Sequence, residues 1–322
     1  MNLETDKNNK LISLIFSFKN EEENIEALVK RSHHSLIKIT GWNYEMVFVN
    51  DDSNDTSLEK LLILQKNYNI RIINMSRTFG VFPCILAGFR NAKGDCIIYM
   101  DADLQDPPEL IPELFNKYLK GNEVVHTVRT KRHGETLVKK IVSKIGYKII
   151  NSFSEINLPI ESGDFKLISR KALKFILQQK EYRPYVRGLS VWVGFQQGYV
   201  EYEREGRHKG KTKMGTFSKG SILEFINGIT SFSLKPLYLG IILGFAAMLF
   251  SIVLIIYAFF AKFFNLSVPG SSGIIIAVSF FSGILLTNIG IIGIYVARIF
   301  EQVKGRSQYI IKDIKDFKTT KE

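Results

Sequence analysis

Two long stretches without a charge constrain this chain more than any other feature. Leu237–Ala261 and Phe263–Ala297 contain no Asp, Glu, Lys or Arg, and Pro269-Gly270-Ser271-Ser272 interrupts the second near its start. About 20 apolar residues in a helix suffice to cross the hydrocarbon of a bilayer. A helix that is apolar all round has no face for water, so it belongs in a large core or in lipid. A chain of 322 residues offers little room to bury such a pair beside a full-size domain. The expectation is two membrane-spanning helices, residues 237–261 and 273–297, joined by a short turn.

Flanking charge orients them. Lys235 precedes the first span, whereas Arg298, Lys304, Arg306, Lys312, Lys315, Lys318 and Lys321 follow the second, and the turn holds only Lys262. Lys and Arg accumulate on cytoplasmic flanks. A multi-pass protein of the inner (cytoplasmic) membrane is expected, with both termini and everything before residue 236 in the cytosol. The polar start MNLETDKNNK has no apolar core and does not read as a targeting segment. Cys84 and Cys96 sit in apolar runs, which suits reduced thiols rather than a disulfide framework. The net charge of +12 asks for an anionic partner. Acidic lipid and phosphate-bearing substrates are the favoured candidates. Nucleic acid is not expected, because binding it needs no bilayer anchor. His33-His34 are adjacent and His126, His133 and His208 lie among lysines, so no spacing suits zinc.

The first 130 residues alternate two periodicities. LISLIFSF (11–18), YEMVFVN (44–50), IRIINM (70–75) and DCIIYM (95–100) read as strands; 21–36, 56–66 and 80–91 read as helices. This alternation predicts an α/β domain with a mainly parallel, Rossmann-like sheet. Ligands of such sheets lie beyond the carboxyl ends of the strands. Asp51, Asp52, Asp101, Asp103 and Asp106 all fall there. Gathered carboxylates repel unless a cation or donors neutralise them. Asp101-Ala102-Asp103 follows an apolar strand, and hard oxygen ligands of this kind suit Mg²⁺ or Mn²⁺. Asp106, before Pro107-Pro108, is expected to be a helix N-cap.

The string MDADLQDPPEL (100–110) resembles the signature of the GT-A-fold family 2 glycosyltransferases, and within them the polyprenyl-phosphate glycosyltransferases, a group that includes dolichol-phosphate mannose synthases and bactoprenol glucosyltransferases. NEEENI (20–25), FVNDDSNDTS (48–57), SRTFGVFPCILAGFRNAKGD (76–95), SGDFKLISRKAL (162–173) and YVRGLSVWVGF (185–195) follow in the same order. The resemblance covers residues 11–235, and a two-span tail suits the bactoprenol branch. It implies inverting transfer of a sugar from a nucleotide sugar, with a UDP-sugar favoured, to polyprenyl phosphate. Ser17, Lys19, Glu21 and Asp51 are implied contacts of the nucleotide base and ribose. Asp101, Ala102, Asp103 and Gln105 are implied to form the diphosphate–metal site, with Asp101, Asp103 and Gln105 around Mg²⁺ or Mn²⁺ and Asp103 counted as catalytic. Asp164 is the implied base or acceptor-positioning carboxylate. Arg129, with Lys140 and Ser143 in the basic segment after it, is implied to meet the acceptor phosphate. Arg207 and Lys213 match charged positions of a loop that closes over the donor diphosphate. Three departures stand out: Ser17 and Lys19 where proline and tyrosine are usual, Asp52 for a glycine, and Val81-Phe82 for a more polar pair.

Lys140, Lys144 and Lys148 recur every fourth residue, which stacks them on one helix face. A basic face gains from an anionic leaflet. In 217–233, Ile222, Phe225, Ile226, Ile229 and Phe232 have helical spacing and read as an interfacial helix. The expected organisation is thus a catalytic domain (1–215), an interfacial amphipathic helix (216–236), two spans (237–297) and a basic tail (298–322). A processive polysaccharide synthase would carry a Gln-x-x-Arg-Trp motif and more spans. A non-catalytic scaffold with a retained transferase fold, or a transferase with another acceptor, are the alternatives. Self-association is left open.

Overall fold

The computed structural model describes residues 10–132, 146, 148, 151–154, 156, 159, 161–182, 184–204, 219–264 and 270–317. The chain divides into two compact units, one within residues 1–152, 156–228 and 307–322, the other within 153–155 and 229–306.

The first unit is built on an eight-stranded sheet. In chain order the strands are β1 (Leu11–Phe18), β2 (Asn43–Asn50), β3 (Ile70–Met75), β4 (Cys96–Asp101), β5 (Val124–Arg132), β6 (Ser162–Ser169), β7 (Gln197–Arg204) and β8 (Ile311–Lys315). Their spatial order is β7-β5-β6-β4-β1-β2-β3-β8. Only the stretch β4-β1-β2-β3 forms a continuous parallel block. β6 runs antiparallel to both β4 and β5, β5 and β7 are parallel, and β8 is antiparallel to β3. The expected mainly parallel sheet is therefore mixed outside its centre. The central strands are covered on both faces, which is why β1 and β3 read as nearly unbroken apolar runs rather than alternating ones. The eighth strand was not legible, since IKDIK (311–315) alternates charge and looks like a solvated tail.

Among the described residues, five helices flank these strands: α1 (Ile25–Leu36), α2 (Ser57–Leu64), α3 (Val81–Asn91), α4 (Ile111–Leu119) and α5 (Arg170–Gln178). A short α6 (Val186–Trp192) and then α7 (Lys219–Ser231) follow. Helix α3 lies close on the sheet through Gly88, where a Cβ would come within 2.5 Å of the Ile15 side chain. Helix α1 starts at Ile25 rather than at Glu21 because residues 20–24 are used otherwise. Asn20 and Asn54 exchange two hydrogen bonds (2.7 and 2.9 Å), the Glu21 N–H donates to Ser57 Oγ, and the Glu22 carboxylate accepts from Thr56. The loops after β1 and β2 are thereby tied into one structure.

The second unit contains α8 (Lys235–Phe263) and α9 (Gly270–Val303). Within it Ser233 meets Tyr295, Gly240 meets Asn288 and Phe250 meets Phe280, an order of contacts that makes the two helices antiparallel. Asn288 donates to Ile284 O, and its Oδ1 occupies the space that a Cβ on Gly240 would need. The stretches Lys235–Ala261 (mean hydropathy 2.9) and Ile276–Val303 (1.9) are long and apolar enough to cross a membrane. Each would extend about 40 Å at 1.5 Å per residue, against a hydrocarbon core of about 30 Å.

Candidate active site

The carboxyl end of β4 carries the acidic sequence, and its burial alternates. Asp101, Asp103 and Gln105 are half-buried, while Ala102, Leu104 and Asp106 are buried. The three polar residues expected to hold a metal are thus the accessible ones. Leu104 sets the alternation. Its φ is +58°, a left-handed conformation rare for a bulky residue. Its side chain is nonetheless sealed in the core with Ala102 and Ile111. Burial of this leucine holds the strained turn, and the Gln105 N–H closes it onto Asp103 Oδ1 at 3.2 Å.

Asp101 is anchored from below. Tyr99 Oη donates to Asp101 Oδ1 at 3.0 Å and shares a hydrogen bond with Ser17 Oγ at 2.9 Å. Burial, with Asp164, Asp106 and Asp103 nearby, pushes the Asp101 carboxyl well above the usual carboxylate range. A cation would relieve that concentration of negative charge, and hard carboxylate and amide oxygens are its natural ligands. Among the described residues no three His, Cys, Asp or Glu side chains gather closely enough to hold an ion by themselves.

Asp164 stands early on β6, which runs antiparallel beside β4. Arg187, in the first turn of α6, grips it with two bonds, Nε to Oδ1 at 2.8 Å and Nη2 to Oδ2 at 2.5 Å. Burial alone would raise the Asp164 carboxyl. The charge and hydrogen bonds of Arg187 outweigh it, with Lys166 and Arg129 adding to them, and hold the group well below the usual range. Two residues on, and so on the same face of the strand, Lys166 is fully buried and donates to Ser190 Oγ at 3.2 Å. Burial lowers its ammonium to about 8, opposed by Asp164 and reinforced by Arg187. A polar rank beneath the carboxylates thus runs across the sheet, with Tyr99 and His126 opposite Lys166 on its two sides.

Asp106 is not the helix cap expected of it. The 3₁₀ turn Pro108–Leu110 has no side-chain cap. Asp106 is 0 % exposed and accepts from Tyr202 Oη. It also lies 3.6 Å from Arg129 Nη2 and 3.5 Å from Arg204 Nε. Sequence spacing suggested a cap, but the arrival of β5 and β7 supplied three stronger partners. Arg129, expected at the acceptor phosphate, is in this buried cluster and donates from Nε to Tyr202 Oη at 3.0 Å. Gly163 admits it, since a Cβ there would sit 2.5 Å from Nη2.

Of the expected nucleotide contacts, Asp51 is buried and accepts from the Phe79 and Gly80 N–H groups at 2.7 and 3.0 Å. Glu21 accepts from Asn24 Nδ2. Lys19 donates to Thr78 Oγ1, which brings the first and third loops together. Asp52, where a glycine is usual, has φ +59°. Lys140, Ser143, Arg207 and Lys213 lie outside the described residues. Sequence reasoning missed Arg187, Lys166 and Tyr99. Arg187 and Lys166 lay inside motifs already noticed, while Tyr99 was hidden in a strand that reads as apolar.

A cavity of about 610 Å³ opens beside Asp101 and Asp164, within the range of small-ligand sites. Phe79, Val81, Phe82, Pro83 and Leu86 line it at the start of α3, Tyr182, Tyr185 and Arg187 at α6, and Ser307 and Gln308 ahead of β8.

The model of a known family, glycosyl transferase family 2, matches residues 13–177, which include the acidic end of β4 and Asp164 on β6. The chain belongs to glycosyl transferase family 2. Relatives extend the match beyond the family model. An uncharacterized glycosyltransferase of Synechocystis is 38% identical over 310 residues, 94% of this chain and 95% of that protein. A bactoprenol glucosyl transferase of Shigella phage SfV is 32% identical over 309 residues, 94% of this chain and 99% of the other. Among solved structures, a mycobacterial protein aligns with a TM-score of 0.51 at 16% identity, covering 69% of this chain and 75% of that one. The glycosyl transferase family 2 domain accounts for the mixed sheet and acidic strand end, and the relatives reach through the two apolar helices as well.

Proposed function

We propose that this glycosyl transferase moves a sugar, with glucose favoured, from a nucleoside-diphosphate sugar to a polyprenyl phosphate at a membrane surface. The observation that carries the reading is a likeness to bactoprenol glucosyl transferases over nearly the whole chain, apolar helices included. A UDP-sugar is the favoured donor. The positive charge flanking the helices supports a cytosolic site at the inner membrane, with both ends of the chain on that side.

The reaction joins an acceptor phosphate oxygen to the anomeric carbon and breaks the bond from that carbon to the donor diphosphate, with inversion. Asp101, Asp103 and Gln105 would hold Mg²⁺ or Mn²⁺ together with the diphosphate. The metal would supply charge neutralisation of the leaving group. A phosphate monoester has its second pKa near 6, so the attacking oxygen is already ionised at neutral pH. Asp164, kept ionised by Arg187, is suited to orient rather than to take up a proton. Asp103 and Asp164 are the catalytic carboxylates of this reading. Ser17, Lys19, Glu21 and Asp51 are proposed to contact the nucleotide base and ribose. Arg207 and Lys213 are proposed at the diphosphate, and Lys140 and Ser143 at the acceptor phosphate.

The test is transfer of label from UDP- or GDP-[¹⁴C]glucose to undecaprenyl phosphate, read in the organic phase. Label is expected there with the unaltered protein and Mg²⁺ or Mn²⁺, and lost in Asp103→Asn. Full transfer by Asp103→Asn would remove the metal-site assignment.

A further inference from the structure

We infer that Lys166 is a positioning residue, which sets Arg187 against Asp164 through the Ser190 hydroxyl and so fixes the direction of that carboxylate. Its bearing on catalysis rests on the function proposed above; the geometry stands without it. Four side chains close a ring between β6 and α6. Arg187 grips Asp164 with two bonds, Lys166 Nζ donates to Ser190 Oγ at 3.2 Å, and Ser190 Oγ donates to Arg187 O at 2.8 Å. Asp164 and Lys166 are two residues apart on one face of the strand, about 6.6 Å along it. Arg187 and Ser190 are three apart on the helix, roughly 4.5 Å along its axis. The helix is thus held to the strand at two points, whereas a helix held only at Arg187 could pivot there. Gln197 secures the far end of α6. Its Nε2 donates to Val191 O at 3.0 Å, and its Oε1 accepts from His126 Nε2 at 2.9 Å.

Chemistry fixes the direction of the relay. An ammonium only donates. Ser190 must therefore accept from Lys166, and its one proton is left for the Arg187 carbonyl. A neutral amine would impose no such order. Lys166 is 2% exposed, and among the described residues its ammonium makes one hydrogen bond, to Ser190. Packing does not explain a charge there, because an apolar side chain of similar length would fill the space without the desolvation cost. Around the ammonium stand Asp164 on its own strand, Arg187 on α6, Tyr99 opposite on β4 and His126 opposite on β5. Asp164 and Arg187 keep their charges, while Tyr99 and His126 stay uncharged at neutral pH. Burial brings Lys166 to about 8, so the relay is set at neutral pH and released as pH rises past that value.

The experiment uses the full chain in nanodiscs, with Lys166→Met, Ser190→Ala and the double variant, each studied well below its Tm. One readout needs no turnover: the rate at which phenylglyoxal modifies Arg187, followed by peptide mass spectrometry. Each single variant is expected to raise that rate by about fivefold or more, because Arg187 is held less firmly. The other readout is glucose transfer to undecaprenyl phosphate. Each single variant should lower kcat by about tenfold and leave the donor KM within about twofold, and the double variant should lose no more than either single, because the relay acts as one unit. In the unaltered protein kcat should decline above about pH 8, and both single variants should lack that decline. A lysine with only a structural role would lower Tm and leave the pH profile unchanged. Ser190→Ala keeps Lys166 in place and decides the matter should Lys166→Met fail to fold. Arg187 modified at the unaltered rate, kcat losses that multiply in the double variant, or an alkaline decline that persists in Ser190→Ala overturns the inference. No transfer by the unaltered protein, with faster Arg187 modification in both single variants, would overturn the proposed reaction and leave the ring standing.

Discussion

Replacing Arg187 by methionine tests the central electrostatic claim. Arg187 is the main neutraliser of Asp164, through bonds of 2.8 and 2.5 Å, and the side chains are only 19% and 14% exposed. Removing one partner of a buried pair leaves a charge in low dielectric and costs about 3–5 kcal/mol. The pair opens onto a cavity that can admit water, so the lower end applies, about 3 kcal/mol. For a domain of this size that is a fall in Tm of roughly 6–12 °C. The sign of the pH dependence follows. With Arg187 present, the folded-state pKa of Asp164 is depressed. The stability it contributes is complete above the unfolded value near 3.9 and is lost as pH falls through the lower folded value. In Arg187→Met, burial, the largest influence on this carboxyl, is opposed only by Lys166 and Arg129 and raises the folded value instead. The variant then regains stability on acidification, as Asp164 takes up a proton. Differential scanning calorimetry of the full chain in detergent is expected to show a Tm gap that narrows from pH 7.5 to pH 5. A double variant, Arg187→Met with Asp164→Leu, should recover most of the loss at pH 7.5. A single variant as stable as the unaltered protein, or a double variant no better than the single, would refute the buried-pair argument. Transfer in Arg187→Met should also fall at neutral pH and acquire a new ionisation there.

Asp52 has φ +59° and is exposed, so Asp52→Gly should stabilise by up to about 1 kcal/mol, and Asp52→Val should destabilise by more than that; paired thermal melts decide it. His126 is buried, its imidazole lowered to about 3 by burial and by Lys166, against the hydrogen bond with Gln197. The folded protein therefore holds it neutral, and stability declines as pH falls below the unfolded value of about 6.5. In His126→Gln the slope of Tm against pH between 6.5 and 4.5 should be shallower, and an unchanged slope would refute the assignment. Ending the chain after Arg306 removes β8 from the edge of β3, the Asn74–Asp313 hydrogen bond, and Ser307 and Gln308 from the cavity. Loss of transfer together with a lower Tm of the first unit is expected, and full activity of the shortened chain would show that β8 is dispensable.

Much of the fold was legible. The four parallel strands matched their sequence runs because strands covered on both faces must be apolar along their length. The alternation at the end of β4 was legible too, since a strand end followed by alternating polar residues leaves Asp101, Asp103 and Gln105 half-buried and Ala102, Leu104 and Asp106 buried. β8 was not legible, because an edge strand can keep its charges in water and so carries no apolar signature. Asp106 misled for a related reason. A carboxylate before two prolines is a good cap when its only neighbours are local, but strands distant in sequence brought it Tyr202, Arg129 and Arg204.

By itself the sequence determined the two apolar helices, the α/β class, the family and the acidic strand end, all of which follow from local patterns or short ordered motifs. Only the tertiary structure decided how the charges are divided. It set Asp164 against Arg187, drew Arg129 and Asp106 into a buried cluster, placed Lys166 beneath the carboxylates, and brought the segment after the second apolar helix to the cavity wall. The physical reason is that pairing and burial depend on which strands become neighbours. That neighbour order, β7-β5-β6-β4-β1-β2-β3-β8, is a property of the packed sheet and is written in no single stretch of the chain.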